Sequence, residues 1–365
     1  MKDIFFVPSF GNKPRNLVGR EDILRIFENC LDAVPGSRER SMLILGQRGM
    51  GKTVLLLELA EMARKKNFIV ASPTVVSKDM PDRIVEKLYM DGEKVLKQKK
   101  NRVTGGNISV LGFGAGIQLS DNSELNKSFS RRLSECCDIF NRGGHPVLIL
   151  VDELQADTEE LKQLIVSYQE MVGEGKDVAI VMAGLPNAVS AVLNDHVLTF
   201  LNRASKNNLM PLKYTDIEHY YAGAFHDIGL QISEKMIKDA AASSEGSPYM
   251  MQLIGHYITI AAPENGKVTD KIFKDSISRA KDDFQNDICK TSLAALSDRD
   301  YDFLKAIATD KVDSGVNDIA KRMGVSNQYV QTYKRRLIQA GIIEQPRRGK
   351  LRIAVPYLKE YLKNE

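Results

Sequence analysis

At 365 residues the chain exceeds what one compact core usually holds, so two or three domains are expected. Its 43% apolar and 27% charged residues are the balance of a globular protein and exclude disordered and fibrous classes. The net charge of +4 is unevenly placed: residues 293–365 carry 14 Lys/Arg against 9 Asp/Glu, and the basic excess there points to nucleic acid.

The start, MKDIFFVPSFGNKP, has only a short apolar patch. No stretch approaches the roughly 18 uninterrupted apolar residues of a membrane span, so a cytoplasmic protein without membrane contact is expected. Residues 1–18 read as an N-terminal linker. Cys30, Cys136, Cys137 and Cys289 lack paired spacing, and the histidines do not cluster with them, so buried thiols are expected rather than disulfides or a zinc site.

In chain order, apolar residues at helical spacing predict a helix from about Glu21, and SMLILG predicts a short strand. GKTVLLLELAEMARKK predicts a helix, NFIVASPTVV a second buried strand, and a helical stretch follows near 80–100. GGNISVLGFGAGIQLSD, with glycines among alternating apolar positions, reads as a hairpin insertion at about 103–120; no helix follows its glycines, which argues against a phosphate loop there. The basic run KVLKQKKNR before it reads as a solvated helix end. A helix over about 122–141, the strand VLILVDE, a further helix, the strand VAIVMAG and a last strand at NNLMPL complete an alternating pattern. It predicts an α/β fold with a parallel sheet covered on both faces, over 19–212. From 213 to 290 the pattern is helical throughout, broken by Pro263 and Gly266, and predicts a small helical lid.

Gly46-Gln47-Arg48-Gly49-Met50-Gly51-Lys52-Thr53 matches G-x-x-x-x-G-K-[ST] in full, between a strand and a helix. A glycine turn at a helix N-terminus aims consecutive backbone N–H groups at phosphate oxygens, and the helix dipole favours their charge. ATP or ADP with Mg²⁺ is the expected cofactor: Lys52 neutralises the β and γ phosphates and the Thr53 hydroxyl takes one position on the metal. The apolar strand ending in Asp152-Glu153 delivers two carboxylates to the edge where open α/β sheets bind ligands. Asp152 is the expected metal partner through water, and Glu153 the group that polarises the attacking water.

On these motifs the chain resembles P-loop ATPases of the AAA+/STAND group, especially archaeal and bacterial relatives of the origin-recognition initiators. Val18-Gly19-Arg20-Glu21 resembles the adenine-side segment of that group, which places Val18 and Gly19 near the base. Phe200-Leu201-Asn202-Arg203 stands where the group carries an arginine finger, which implies that Arg203 reaches a γ-phosphate of a neighbouring subunit in a homo-oligomer. Two positions depart from the pattern. Ala183 and Gly184 stand where a polar sensor belongs, with Asn187 the nearest substitute, and Gly246-Ser247-Pro248-Tyr249 resembles the GxP element of STAND switches, whose Pro248 packs near the base. Slow hydrolysis in a nucleotide-controlled switch is the implied behaviour.

Residues 293–365 read as helix, helix, turn, helix and hairpin: SDRDYDFLKAIA first, then Gly324 as the turn, Ser326 as an N-cap and Pro346-Arg347-Arg348-Gly349-Lys350 as a basic hairpin tip. Val330, Leu337 and Tyr333 are expected on the core face, leaving Asn327, Gln328, Gln331, Lys334 and Arg335 outward. The layout resembles winged-helix domains, which implies double-stranded DNA as partner through Gln328, Gln331, Lys334, Arg335, Arg347, Arg348 and Lys350. Over 321–352 nine basic residues face one acid, Glu344. An ATP-dependent DNA-binding switch is the leading expectation, as in replication initiation, mobile-element maintenance or transcriptional control. The alternative is a STAND-like signalling or defence switch whose winged helix contacts protein.

Overall fold

The computed structural model describes residues 5–8, 17–102, 128–154, 158–193, 199–294 and 296–364. The expected hairpin at 103–120 lies outside the described residues. Helix α1 (Glu21–Asp32) precedes strand β1 (Ser41–Leu45), helix α2 (Lys52–Lys65), strand β2 (Ile69–Val75) and helix α3 (Met80–Arg102). Helix α4 (Phe129–Arg142), strand β3 (Val147–Leu154), helix α5 (Glu159–Gly173), strand β4 (Val178–Gly184), helix α6 (Pro186–Leu193) and strand β5 (Ser205–Asn208) follow. The strands form one five-stranded sheet in the order β2-β3-β4-β1-β5, and its pairings are parallel.

Every sheet residue from Val178 to Gly184 is buried, which is why these strands are apolar without alternation: each face has its own layer of helices. Met42, Ile44, Leu148 and Val181 pack with Leu55 and Leu59 of α2 and Phe27 of α1. Leu43, Ile149, Ile180 and Met182 turn to the other face, against Ile84 of α3, Leu133 of α4 and Leu164 of α5. The four cysteines are buried free thiols, as expected.

The last strand starts earlier than expected, at Ser205 rather than Asn207, because its ladder runs from Met42–Ser205 to Leu45–Asn208. It ends there because after Leu209, whose N–H reaches the Leu45 carbonyl at 2.6 Å, Pro211 has no N–H to offer.

The lid comprises α7 (Tyr214–Ile228), α8 (Glu234–Ser243), α9 (Pro248–Ala261) and α10 (Asp270–Phe284). Within the N-terminal segment, residues 5–8 are described. Phe5 and Phe6 are buried in the lid core, with the Phe6 ring 5.4 Å from Phe225 and 5.9 Å from Tyr221. The Tyr220 hydroxyl donates to the Phe5 carbonyl at 2.9 Å. An apolar dipeptide isolated in sequence carries no periodicity, so its burial against helices more than 200 residues away is invisible to pattern reading.

Lid and C-terminal module share one hydrophobic cluster, although the helix between them ends at Leu293. α10 continues through a π-helical segment, Gln285–Lys290, into a short helix α11 (Thr291–Leu293). The hydrophobic cluster of the lid runs on through Phe284, Cys289 and Leu293 to Phe303, Val330 and Leu351. The module itself contains α12 (Asp298–Ala308), β6 (Ser314–Gly315), α13 (Val316–Met323), α14 (Asn327–Gln339), β7 (Ile343–Arg347), β8 (Lys350–Ile353) and α15 (Leu358–Asn364). Its three strands form an antiparallel sheet in the order β6-β8-β7. Gly324 takes φ +64° between α13 and α14, and the Ser326 hydroxyl accepts the Tyr329 N–H at 3.2 Å, which sets the start of α14.

Candidate nucleotide cleft and C-terminal basic face

The phosphate loop spans the C-terminal end of β1 and the first turn of α2. Gly49 and Gly51 take φ of +75° and +78°, backbone that only glycine adopts without strain, and Gly51 caps α2. The Lys52 ammonium donates to the Gly46 carbonyl at 2.8 Å and the Gln47 carbonyl at 2.9 Å, so it is held at the mouth of the loop by the loop itself. Burial pushes Lys52 down to about 8 against the opposing pull of the Asp152 and Glu153 carboxylates.

Parallel pairing with β4 brings the end of β3 to the same edge. Asp152 is buried; its Oδ2 accepts the Thr53 hydroxyl at 2.5 Å and its Oδ1 accepts the Glu153 N–H at 2.9 Å. Two hard oxygen donors thus meet at the base of the cleft, a set that fits Mg²⁺ completed by water and phosphate oxygens. The β3–β4 register shifts between Val151 and Leu154, and Glu153 adopts φ +52°. That irregularity re-aims the Glu153 side chain from the sheet into the cleft, at a backbone cost of roughly 1–2 kcal/mol.

The cleft is a cavity of about 490 Å³. Arg48, Gly49, Met50, Gly51, Lys52, Thr53, Asp152 and Glu153 line its phosphate end. Val18 and Pro248 line it elsewhere, and Gly184 closes the end of β4. Pro248 opens α9 directly over the loop: a Cβ on Gly51 would sit 3.8 Å from the proline ring. Gly19, at φ +63°, abuts Leu212 and Asp216 rather than the cavity. Gly46 lies under the loop, its N–H bonded to the Gly184 carbonyl at 3.1 Å and its Cα against Leu209. Arg203 is exposed at the end of a 3₁₀ turn, Thr199–Arg203, and does not line the cleft of its own chain.

Several cleft residues are given no role by the sequence pattern. Arg20 is buried; its guanidinium donates to the Met210 carbonyl at 3.0 Å and the Met50 carbonyl at 3.3 Å, tying the phosphate loop to the hinge that enters the lid. Burial lowers its pKa against the opposing pull of the Glu21 carboxylate. Val7, Pro8 and Gln252 line the lid side, and Asp287, Ile288 and Thr291 line it from the π-helical segment and α11. The Tyr249 hydroxyl fixes that segment by donating to Asp287 at 2.6 Å.

Gln47 faces away from the cleft, towards the C-terminal module. A Cβ on Gly341, which takes φ +68° after α14, would lie 2.7 Å from the Gln47 Oε1 and 3.0 Å from Leu185. α14 also packs against α6. The loop that would hold phosphates is therefore in direct contact with the module.

Within the module Val330 and Leu337 are buried, and Tyr333 stacks on Phe303 with ring centroids 6.0 Å apart. Asn327, Gln328, Gln331 and Arg335 are exposed on the opposite face of α14, with Lys334 half-buried. Arg347, Arg348 and Lys350 stand at the β7–β8 turn, where Gly349 takes φ +76°. The nine-to-one charge count overstates the free basic charge. Arg322 pairs with Asp310 at 2.6 Å, Arg336 with Asp300 at 3.1 Å, and Arg352 with Asp313 at 2.9 Å. Those acids come from α12 and the loop after it, outside the window counted, and Asp313 also lies 4.0 Å from Arg347, so the net positive face reduces to Lys321, Lys334, Arg335, Arg348 and Lys350.

Residues 16–181 match the family model described as the AAA ATPase domain, and residues 286–362 match one described as a domain of unknown function (DUF8462). No curated protein matches the chain. The fold is similar to that of a Walker-type ATPase of Pyrococcus abyssi, at 16% identity over 98% of this chain and 99% of that one, with a TM-score of 0.73. It is also similar to the Aeropyrum pernix ORC2 protein, solved as ADPNP–ADP complexes, at 16% identity over 98% and 96% with a TM-score of 0.64. For the Pyrobaculum aerophilum CDC6p the identity is again 16% over 98% and 96%, and the TM-score 0.52. The architecture is thus an α/β P-loop fold similar to that of AAA+-type ATPases. No helix among the described residues is long and apolar enough to cross a membrane.

Proposed function

We propose that this chain is an ATP-binding, slowly hydrolysing switch that couples the nucleotide in its cleft to duplex DNA binding by residues 293–364, a winged-helix module. One observation carries the reading: the helical segment that supplies Asp287, Ile288 and Thr291 to the cleft ends at Leu293, and its Cys289 and Leu293 are buried in one hydrophobic cluster with Phe303 and Leu351 of that module. The contact of Gln47 with Gly341 adds a second link from the phosphate loop.

In this reading Lys52 neutralises the β and γ phosphates, and the backbone N–H groups of the loop bind their oxygens. Thr53 and, through water, Asp152 would hold Mg²⁺, which would supply charge neutralisation of the phosphate oxygens. Glu153 orients the attacking water and accepts its proton. Arg203, exposed and outside its own cleft, serves the γ-phosphate of a neighbouring copy. Slow turnover follows from Ala183 and Gly184, which offer no polar side chain to that phosphate, and from Pro248, which stands over the loop in place of a cation.

On the module, Gln328 and Gln331 read base edges from the exposed face of α14, with Lys334 and Arg335 alongside, while Arg347, Arg348 and Lys350 meet phosphates. Replacing those three hairpin cations by alanine is expected to weaken binding to every duplex and to flatten the salt dependence, by roughly 0.9 in log–log slope for each phosphate no longer neutralised. Fluorescence anisotropy on specific and scrambled duplexes at several salt concentrations measures both. Unchanged affinity and slope would contradict DNA reading by this face and favour a protein partner.

A further inference from the structure

The base side of the cleft contains a buried donor whose orientation is already fixed. Gln252 lies on α9, one turn after Pro248, and its side chain is 6% exposed. Its Oε1 accepts the Val7 N–H at 2.9 Å. This bond decides which end of the amide is oxygen, because a backbone N–H cannot donate to an amide nitrogen. The Nε2 at the other end is buried and finds no partner among the described residues. Gln252, Val7, Pro8, Val18 and Pro248 all line the cavity. The glutamine is also held in place from behind. Gly255, less than one turn further on, leaves room for the Phe6 ring, which would lie 2.2 Å from a Cβ there. Phe6 thereby seats the strap against α9 and brings the Val7 N–H to Gln252.

A buried N–H without an acceptor is costly, and native folds retain one where a ligand satisfies it. Resting on the reading that the cleft binds a nucleoside triphosphate, we propose that Gln252 is its base-reading residue: the Nε2 N–H donates to a ring-nitrogen acceptor on the purine edge. The apolar walls of Val18 and Pro248 flank the ring. The N-terminal strap thus sets base selectivity by locking the amide, although it contributes only a backbone N–H to do so.

Isothermal calorimetry on the full chain tests this with ATP, 1-deaza-ATP, 3-deaza-ATP, 7-deaza-ATP and inorganic tripolyphosphate. One deaza analogue is expected to bind the wild type about tenfold more weakly than ATP, because the donor is then left unpaired. In Gln252→Met, ATP should bind about tenfold more weakly, that analogue should carry no further penalty, and tripolyphosphate should bind as to the wild type. Equal affinity of all three analogues and ATP for the wild type would overturn the proposal without any variant. So would a penalty that persists in Gln252→Met. Failure of the nucleotide reading is a separate result: wild type would then bind neither ATP nor tripolyphosphate, or would bind both as Lys52→Ala does.

Discussion

The two ends of the nucleotide cleft are built in opposite ways. The phosphate end comes from six consecutive residues, Arg48 to Thr53, and the two carboxylates near the end of β3. The base end is assembled from Val7 and Pro8, Val18, Pro248 and Gln252, and Asp287 to Thr291, four segments that only the tertiary fold brings together. Binding a polyanion needs a backbone turn and one charge, which a short motif encodes completely. Enclosing a flat apolar ring needs walls from several directions, and no single stretch can supply them.

The comparison is tested most severely at the strap. Phe6→Ala removes a ring buried among Tyr220, Tyr221 and Phe225 and is expected to destabilise the lid by about 3–5 kcal/mol. Urea unfolding followed by circular dichroism measures it, and a loss under about 1 kcal/mol would show that the segment is a linker after all. Next in size is the phosphate end. Lys52→Ala should weaken ATP by at least about a hundredfold, roughly 2.7 kcal/mol, while leaving unfolding unaffected. Equal calorimetric affinity for variant and wild type would remove the loop from the site.

A smaller effect separates charge from shape at Lys52. Its ammonium, lowered to about 8 by burial, is favoured in the protonated form by a bound polyphosphate, so binding takes up a proton wherever the free lysine is neutral. Affinity should therefore be flat below pH 8 and fall by up to about tenfold per unit above it. Calorimetry between pH 7 and 9.5 checks this, and Lys52→Arg, always charged, should abolish the slope. A flat profile in the wild type would contradict the lowered value.

What is legible in the sequence follows the same division. The strands β1, β3 and β4 can be read because burial on both faces leaves long apolar runs, and α14 because Ser326 and Gly324 mark its start locally. β5 reads two residues late, since its extent depends on pairing with Met42 and not on its own residues. Phe5 and Phe6 are hidden by isolation in sequence. Arg20 sits within the VGRE segment, but nothing there announces that its guanidinium bridges Met50 and Met210. The charge count fails for a related reason: Asp300, Asp310 and Asp313 lie outside the basic window yet fold back onto four of its arginines, Arg322, Arg336, Arg347 and Arg352.

The link between cleft and module is the central claim, and the affinity of the full chain for a labelled duplex in different nucleotide states tests it most directly. Fluorescence anisotropy at one salt concentration, with ADP and then with a non-hydrolysable ATP analogue, should give dissociation constants about 5- to 150-fold apart, the usual span of coupling between two sites. Lys52→Ala should show a single value in both. One identical dissociation constant for the wild type in both states, with nucleotide occupancy verified by calorimetry, would contradict the coupling.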